Sequence, residues 1–192
     1  MELKRVVVTG LGALTPIGNT LPEYWESLKN GVSGAGKITY FDPKHHKTQF
    51  ACELKGFDVN EFIHRKEARR MDKFSQYAMV VSEEAINDAG LLGGDFNPDR
   101  VGVIWGSGIG GLETFQNEAQ VLLKARENDI GPKFNPFFIP KMIADIAPGN
   151  ISIKYGFRGP NYTTVSACAS SSHALIDAFT YLRLGKADVI VT

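Results

Sequence analysis

Apolar positions along the chain follow two rhythms, short continuous runs and longer stretches with an apolar residue every three or four places. The continuous runs cover Val6–Thr9, Val101–Trp105, Tyr162–Val165 and Asp188–Thr192. Runs of this length, rich in β-branched residues, predict strands, and the first two are of the kind buried on both faces of a sheet. The helical rhythm places Tyr24, Trp25 and Leu28 on one face after Thr20, which with Glu23 forms a capping box, and Gly31 ends that helix. Phe74, Tyr77, Ala78, Val81, Ala85 and Ala89 predict a long helix stopped at Gly90, and a further helix runs from about Leu112 to Leu123. Met142, Ile143, Ile146 and Ala147 lead through Ile151 and Ile153, with Pro148 interrupting the stretch or marking a helix start. Leu175, Ile176, Phe179 and Leu182 give a helix expected to be buried along that face, with Arg183 in its last turn and Gly185 as its stop.

Between these elements the chain is punctuated. Ser33 to Phe57 reads as irregular, and Asn135–Pro140 as an aromatic loop stiffened by its prolines. Phe137 and Phe138 there either fill a core, line an apolar ligand tail, or meet another subunit. Gly10 to Gly18 lacks the third glycine of a dinucleotide loop, having Thr15 and then Pro16, and predicts a tight turn under the sheet. Gly106, Gly108 and Gly111 do satisfy that spacing after a strand and before a helix, which opens a nucleotide-binding alternative. The region from Ala125 to Pro140 argues against it, because it holds three prolines where a second strand ending in an acidic residue is required.

Charge removes some classes of function. Lys plus Arg and Asp plus Glu both number 21, so no global field directs the chain to nucleic acid or an anionic membrane. No run reaches the roughly 18 apolar residues of a membrane span. Met1–Arg5 leads straight into the Val6 strand with no signal-like apolar stretch, so a cytoplasmic soluble protein is expected. Cys52 and Cys168 fit no metal-ligand spacing, and the adjacent His45 and His46 read as surface residues. The basic stretch His64–Lys73 is either a solvated face or a dock for an acidic partner.

The chemistry concentrates at Asn161–Ala174. Here a strand gives way to small residues that open a helix, and Cys168 sits at the junction. A thiol at a helix start faces unpaired N–H groups and the positive end of the helix dipole, which favour its anionic form. The same donors can stabilise an oxyanion on a thioester carbonyl. Ala167, Ala169 and Ser170 leave space for a substrate to approach. The arrangement is mechanically comparable to a hydrolase elbow with Cys in place of Ser. A buried structural cysteine is the other reading of the same residues.

Six segments in order resemble the N-terminal half of the β-ketoacyl-acyl-carrier-protein synthases, condensing enzymes of the thiolase-fold superfamily. They are Val6–Gly12, Arg69–Phe74, Gly106–Gly111, Asn135–Pro140, Tyr155–Pro160 and Ser166–Ser170. The resemblance implies an α/β protein with the thiolase-like α/β/α/β/α layers of the complete enzyme, of which residues 1–192 are the N-terminal half, a mixed five-stranded β-sheet flanked by helices. It implies that Cys168 takes the acyl chain from acyl carrier protein, and that malonyl-carrier protein loses CO2 and condenses with the thioester. Neither cofactor nor metal is implied. By the same resemblance Ile109, Ala167 and Phe138 line the acyl pocket, with Phe138 reaching across a homodimer interface. Lys66, Arg69, Arg70 and Lys133 would dock the acidic carrier protein.

Relatives run to roughly twice this length, a size suited to two cores, and place two catalytic histidines and a lysine in the C-terminal half. His173, five residues after Cys168, points to the following turn of the helix and is expected to pack rather than catalyse. Fatty-acid and polyketide-type ketosynthases both fit the motifs. A non-catalytic partner subunit of this fold fits less well, since such subunits lack the nucleophilic cysteine that Cys168 supplies.

Overall fold

Val101, Val103 and Ile104 lie at the bottom of the core, each at 1% exposure or less. The computed structural model describes residues 3–192 and wraps the chain around the strand that carries them. In order, the elements are α1 (Leu21–Lys29), β1 (Gly36–Lys37), β2 (Phe50–Ala51), α2 (Arg65–Ala68), α3 (Lys73–Asp88) and β3 (Val101–Gly106). Then come α4 (Leu112–Glu127), α5 (Phe138–Met142), α6 (Ile146–Tyr155), β4 (Asn161–Thr164), α7 (Ser170–Arg183) and β5 (Val189–Val191).

The main sheet has the order β4-β3-β5, all parallel. Parallel neighbours need crossovers, which here are helical, and the order places the middle strand earliest in the chain. Val101 and Val103 join a cluster with Ala78, Met79, Val80 and Ile86 of α3 and Ala147 and Ile151 of α6. Ile104 points to the opposite face by strand alternation, and α7 packs along β3 there. The sheet is thus covered on both faces, as buried parallel strands require. β1 and β2 pair separately as a short antiparallel ribbon within the segment expected to be irregular.

Several expectations are corrected. Residues 1 and 2, expected to lead into the first strand, lie outside the described residues, and Val6–Thr9 forms no ladder. It is extended, with Val7 and Val8 exposed. It shares with β5 a groove of about 450 Å3 also lined by Ala85 of α3, Ala89 just after that helix, and Leu175, Phe179 and Leu182 of α7. A strand forms only against a partner within hydrogen-bonding reach, and that position is open here. Among the described residues the main sheet has three strands, where five were expected. The expected apolar face of α7 is also open, with Leu175, Ile176 and Phe179 exposed, while Ser170, Ala174 and Ala178 are buried. In α3 the deeply buried residues are Ser75, Ala78, Met79, Val80, Ser82 and Ile86, so Val81 and Ala85 are not at the centre of its face.

Helix ends follow local chemistry. Thr20 Oγ1 accepts from Glu23 N, as a capping box demands, but the Glu23 carboxylate accepts from Asn19 N instead of returning to Thr20. α3 ends at Gly90 and α6 at Gly156, both left-handed. The Asn135–Pro140 segment enters a helix at Phe138, and Pro140 is tolerated because it falls in the first turn. Pro148 likewise lies in the first turn of α6. The glycine turn near the N-terminus closes at Thr15–Gly18, and it is held from α3: Glu84 accepts from Ala13 N and Leu21 N, and Asp88 from Leu11 N. No helix among the described residues is long and apolar enough to cross a membrane.

Candidate active site

Five residues separate the end of β4 at Thr164 from the start of α7 at Ser170, and they reverse the chain sharply. Ala167–Ala169 forms a single 3-10 turn that runs into the helix, with Ala169 N donating to Ser166 O at 3.0 Å. Ala167 takes φ +48°, a left-handed conformation unfavourable for a residue with a Cβ. Cys168, next in line, is exposed as a free thiol, so the buried-structural reading does not describe it. Cys52 is likewise free and exposed, far along the chain.

The neighbouring wall is the Gly106–Gly111 loop. A Cβ at Gly106 would lie 2.7 Å from the carbonyl carbon of Ser170, so glycine is what lets the start of α7 settle on β3. Gly110, at φ +93°, and Gly111 are pressed against the backbone of Lys141–Ala144, and Gly111 N donates to Met142 O at 2.8 Å. Gly106, Gly110 and Gly111 thus serve close backbone contact within the chain, which accounts for them without a nucleotide, and no strand follows over Ala125–Pro140. A Cβ on Gly108 would stand 3.6 Å from Ala167 O, which sets this loop beside the turn that carries Cys168. Ile109, the next residue, projects with 68% exposure. Thr163 Oγ1 donates to Ala144 O, tying β4 to the same segment. Tyr162 donates to Asp177 Oδ2 at 3.0 Å and so joins β4 to α7. Burial, reinforced by that carboxylate, raises the tyrosine pKa well above its usual value.

The structure brings the basic stretch to the aromatic segment. The Arg70 guanidinium lies 5.2 Å from the centroid of the Phe137 ring, and Lys141 Nζ reaches Arg69 O at 3.5 Å. Phe138 is half-buried and stacked on Phe134 at 6.1 Å. Lys66, Arg69 and Arg70 are exposed around α2, and Lys133 is exposed on the loop after α4. His45 and His46 are exposed, distant in sequence from this cluster. His173 does not point onward along the helix but back to the turn, with Nδ1 2.9 Å from Ser166 Oγ.

Three contributors escaped the sequence reading. Ser170, there counted only as a small neighbour, donates to Ala167 O at 2.7 Å and accepts from Ser166 N at 2.9 Å. A serine three residues after a turn start is the one local signal that could have found it. Asp72 occupies the N-cap position of α3, yet its buried carboxylate accepts from Thr114 N at 2.9 Å and from the Thr114 hydroxyl, capping α4 instead. Buried Glu118 accepts from Asn135 N at 3.0 Å and fixes where the aromatic segment begins. Both pairings are too distant in sequence to leave a pattern.

A sheet that delivers an exposed cysteine on a left-handed turn to the start of a helix places the chain among α/β proteins with a sharp elbow between strand and helix. Comparison with known proteins narrows that class. The β-ketoacyl synthase N-terminal domain pattern matches residues 3–192, and the chain belongs to that family. A 3-oxoacyl-[acyl-carrier-protein] synthase 2 from Synechocystis sp. is 47% identical over 192 residues, which are 100% of this chain and 45% of that relative. The chain therefore spans about half the length of the curated relatives it matches. Among solved structures, the ishigamide ketosynthase/chain length factor superposes with a TM-score of 0.86 at 26% identity, over 98% of this chain and 46% of the other. A ketosynthase bound to a hexaketide, in a complex with its type II polyketide synthase acyl-carrier protein (AntDE:AntF), superposes at 0.79 and 25% identity, over 97% and 49%. The fold is the thiolase-like ketosynthase fold.

Proposed function

We propose that this chain is the nucleophile-bearing N-terminal half of a β-ketoacyl-acyl-carrier-protein synthase of fatty-acid elongation. The observation that carries the reading is the exposed Cys168 on the turn between β4 and α7, inside a family match that covers almost the whole chain. The Cys168 thiolate attacks the thioester carbonyl of an acyl-carrier protein. The tetrahedral oxyanion is held by backbone N–H groups at the turn, and the carrier thiol leaves with a proton. Malonyl-carrier protein then breaks its bond to the carboxylate as CO2. The resulting carbanion attacks the Cys168 thioester, and the C–S bond to Cys168 breaks to release 3-oxoacyl-carrier protein and regenerate the thiolate. The groups that promote decarboxylation belong to a C-terminal half outside these residues.

Ile109, Ala167 and Phe138 are assigned to the acyl pocket, consistent with the approach of the Gly108 backbone to Ala167. Lys66, Arg69, Arg70 and Lys133 are assigned to the acidic carrier protein, and a homodimer is the proposed assembly. The reading as a fatty-acid enzyme follows the names of the curated relatives. A polyketide-type ketosynthase is the second reading, favoured by the two superposed structures. The test is intact-mass measurement of the full-length protein after incubation with acyl-carrier proteins of each kind. A covalent acyl adduct is expected from a fatty-acyl carrier and not in Cys168→Ala. An adduct only from polyketide carriers selects the second reading, and no adduct from either rejects acyl transfer.

A further inference from the structure

The left-handed alanine at the nucleophile turn needs something to hold it. Ala167 and Asp129 are the two non-glycine residues with positive φ among the described residues. Asp129 has a short polar side chain of the kind that tolerates this region, and Ala167 does not. Beside the Ala169 N to Ser166 O bond of the turn itself, one side-chain hydroxyl brackets Ala167. Ser170 Oγ donates to Ala167 O at 2.7 Å and accepts from Ser166 N at 2.9 Å, so a single atom bridges the peptide groups on either side of the turn. Only 3% of Ser170 is exposed, so water does not compete well for either bond. The serine is itself held, because Thr164 Oγ1 donates to Ser170 O at 2.8 Å and the missing side chain of Gly106 seats the Ser170–Ser171 backbone on β3. The clamp thus runs from the rigid sheet, through Ser170, to the residue before Cys168.

We infer that Ser170 is a positioning residue: its hydroxyl, acting as donor and acceptor at once, keeps Ala167 left-handed and thereby presents the Cys168 thiol at the open face of the turn. The inference rests on the reading of Cys168 as the nucleophile. Ser170 touches no reacting atom. Without its hydroxyl, Ala167 relaxes toward negative φ and Cys168 turns away from the position in which the thiol is presented.

The test uses the full-length protein and iodoacetamide, with peptide mass spectrometry following the alkylation rates of Cys168 and of exposed Cys52 in the same sample. Cys52 is the internal control for unfolding and for reagent. Ser170→Ala is expected to lower the Cys168-to-Cys52 rate ratio by about ten-fold, the scale of releasing one strained residue. Adding Ala167→Gly is expected to restore most of that loss, because glycine takes positive φ without a clamp. An unchanged ratio in Ser170→Ala overturns the inference. So does a fall that Ala167→Gly leaves in place, which would mark Ser170 as ordinary packing. Should Ser170→Ala not fold, the double variant is compared with Ala167→Gly alone: equal ratios support the clamp and a lower one overturns it. Iodoacetamide requires neither carrier protein nor acyl chain. Failure of acyl transfer with an intact Ser170 effect would therefore count against the proposed function alone.

Discussion

Asp72 shows how one side chain can serve an element other than its own. Its position before α3 is that of an N-cap, but the carboxylate satisfies the third amide of α4 and the Thr114 hydroxyl. It therefore joins the end of the basic stretch to the helix that follows Ile109. Removing it leaves a buried N–H and a hydroxyl unpaired as well as a lost cap. Asp72→Ala is expected to lower the unfolding free energy by about 2 kcal/mol in urea denaturation, with Asp72→Asn, which keeps an acceptor, costing less. The corner that carries Cys168 was legible, since β-favouring residues followed by small ones describe a strand-to-helix junction. Ser170 and Asp72 were not, because what they do depends on which backbone groups the fold brings to them.

At the scale of elements, the sequence placed helices and inner strands well and misjudged which faces are covered. α7 docks through Ser170, Ala174 and Ala178 because only small side chains allow it to lie this close to β3, whose own Gly106 makes room. Of the larger residues chosen by periodicity as the buried face, Leu175, Phe179 and Leu182 line the groove beside β5, and Ile176 is exposed outside it. Periodicity reports that a helix has an apolar face, not that a neighbour is present to cover it. The basic segment around α2 is the counterpart: charge density alone left a solvated face as the default, and the stacking of Arg70 over Phe137 links it to the aromatic segment. Combined charge reversal by Lys66→Glu and Arg69→Glu in the full-length protein is expected to weaken acyl-carrier-protein binding on the order of ten-fold at low salt. It should also flatten the salt dependence of that binding, as titration in increasing NaCl would read out.

The whole molecule is closed by charges far apart in sequence. Asp188, at the entrance to β5, accepts from Arg100 Nη2 at 2.9 Å and pairs with Lys4 at 3.3 Å, joining the N-terminal segment, the turn before β3 and the last strand. The hydrogen bond from Arg100 chiefly lowers the Asp188 pKa to about 2. A folded-state value below the unfolded one, about 3.9, stabilises the fold above pH 4 and is lost as the pH falls through about 2. Asp188→Asn is expected to lower Tm modestly at pH 6 to 7, because the pair is half exposed. The gap to the wild type should close toward pH 2, as thermal melts across that range would record. At this scale the chain also exposes 12298 Å2, against about 9,000 Å2 for a compact monomer of its mass. Under the proposed function the excess is surface that the second half and a partner subunit would cover.

Local pattern by itself determined much of this protein. Strand and helix types, the glycine stops, the cysteine at the corner and the family to which the six segments belong all follow from residues within one turn or one strand of each other. Tertiary structure alone decided whether Val6–Thr9 finds a ladder, which side of α7 is buried, that Asp72 caps a helix 42 residues away, and that Ser170 clamps the turn bearing Cys168. The division has one physical cause. Periodicity, capping and turn chemistry are encoded by neighbours in the chain, whereas pairing, burial and the satisfaction of a buried polar group depend on residues that become neighbours only on folding.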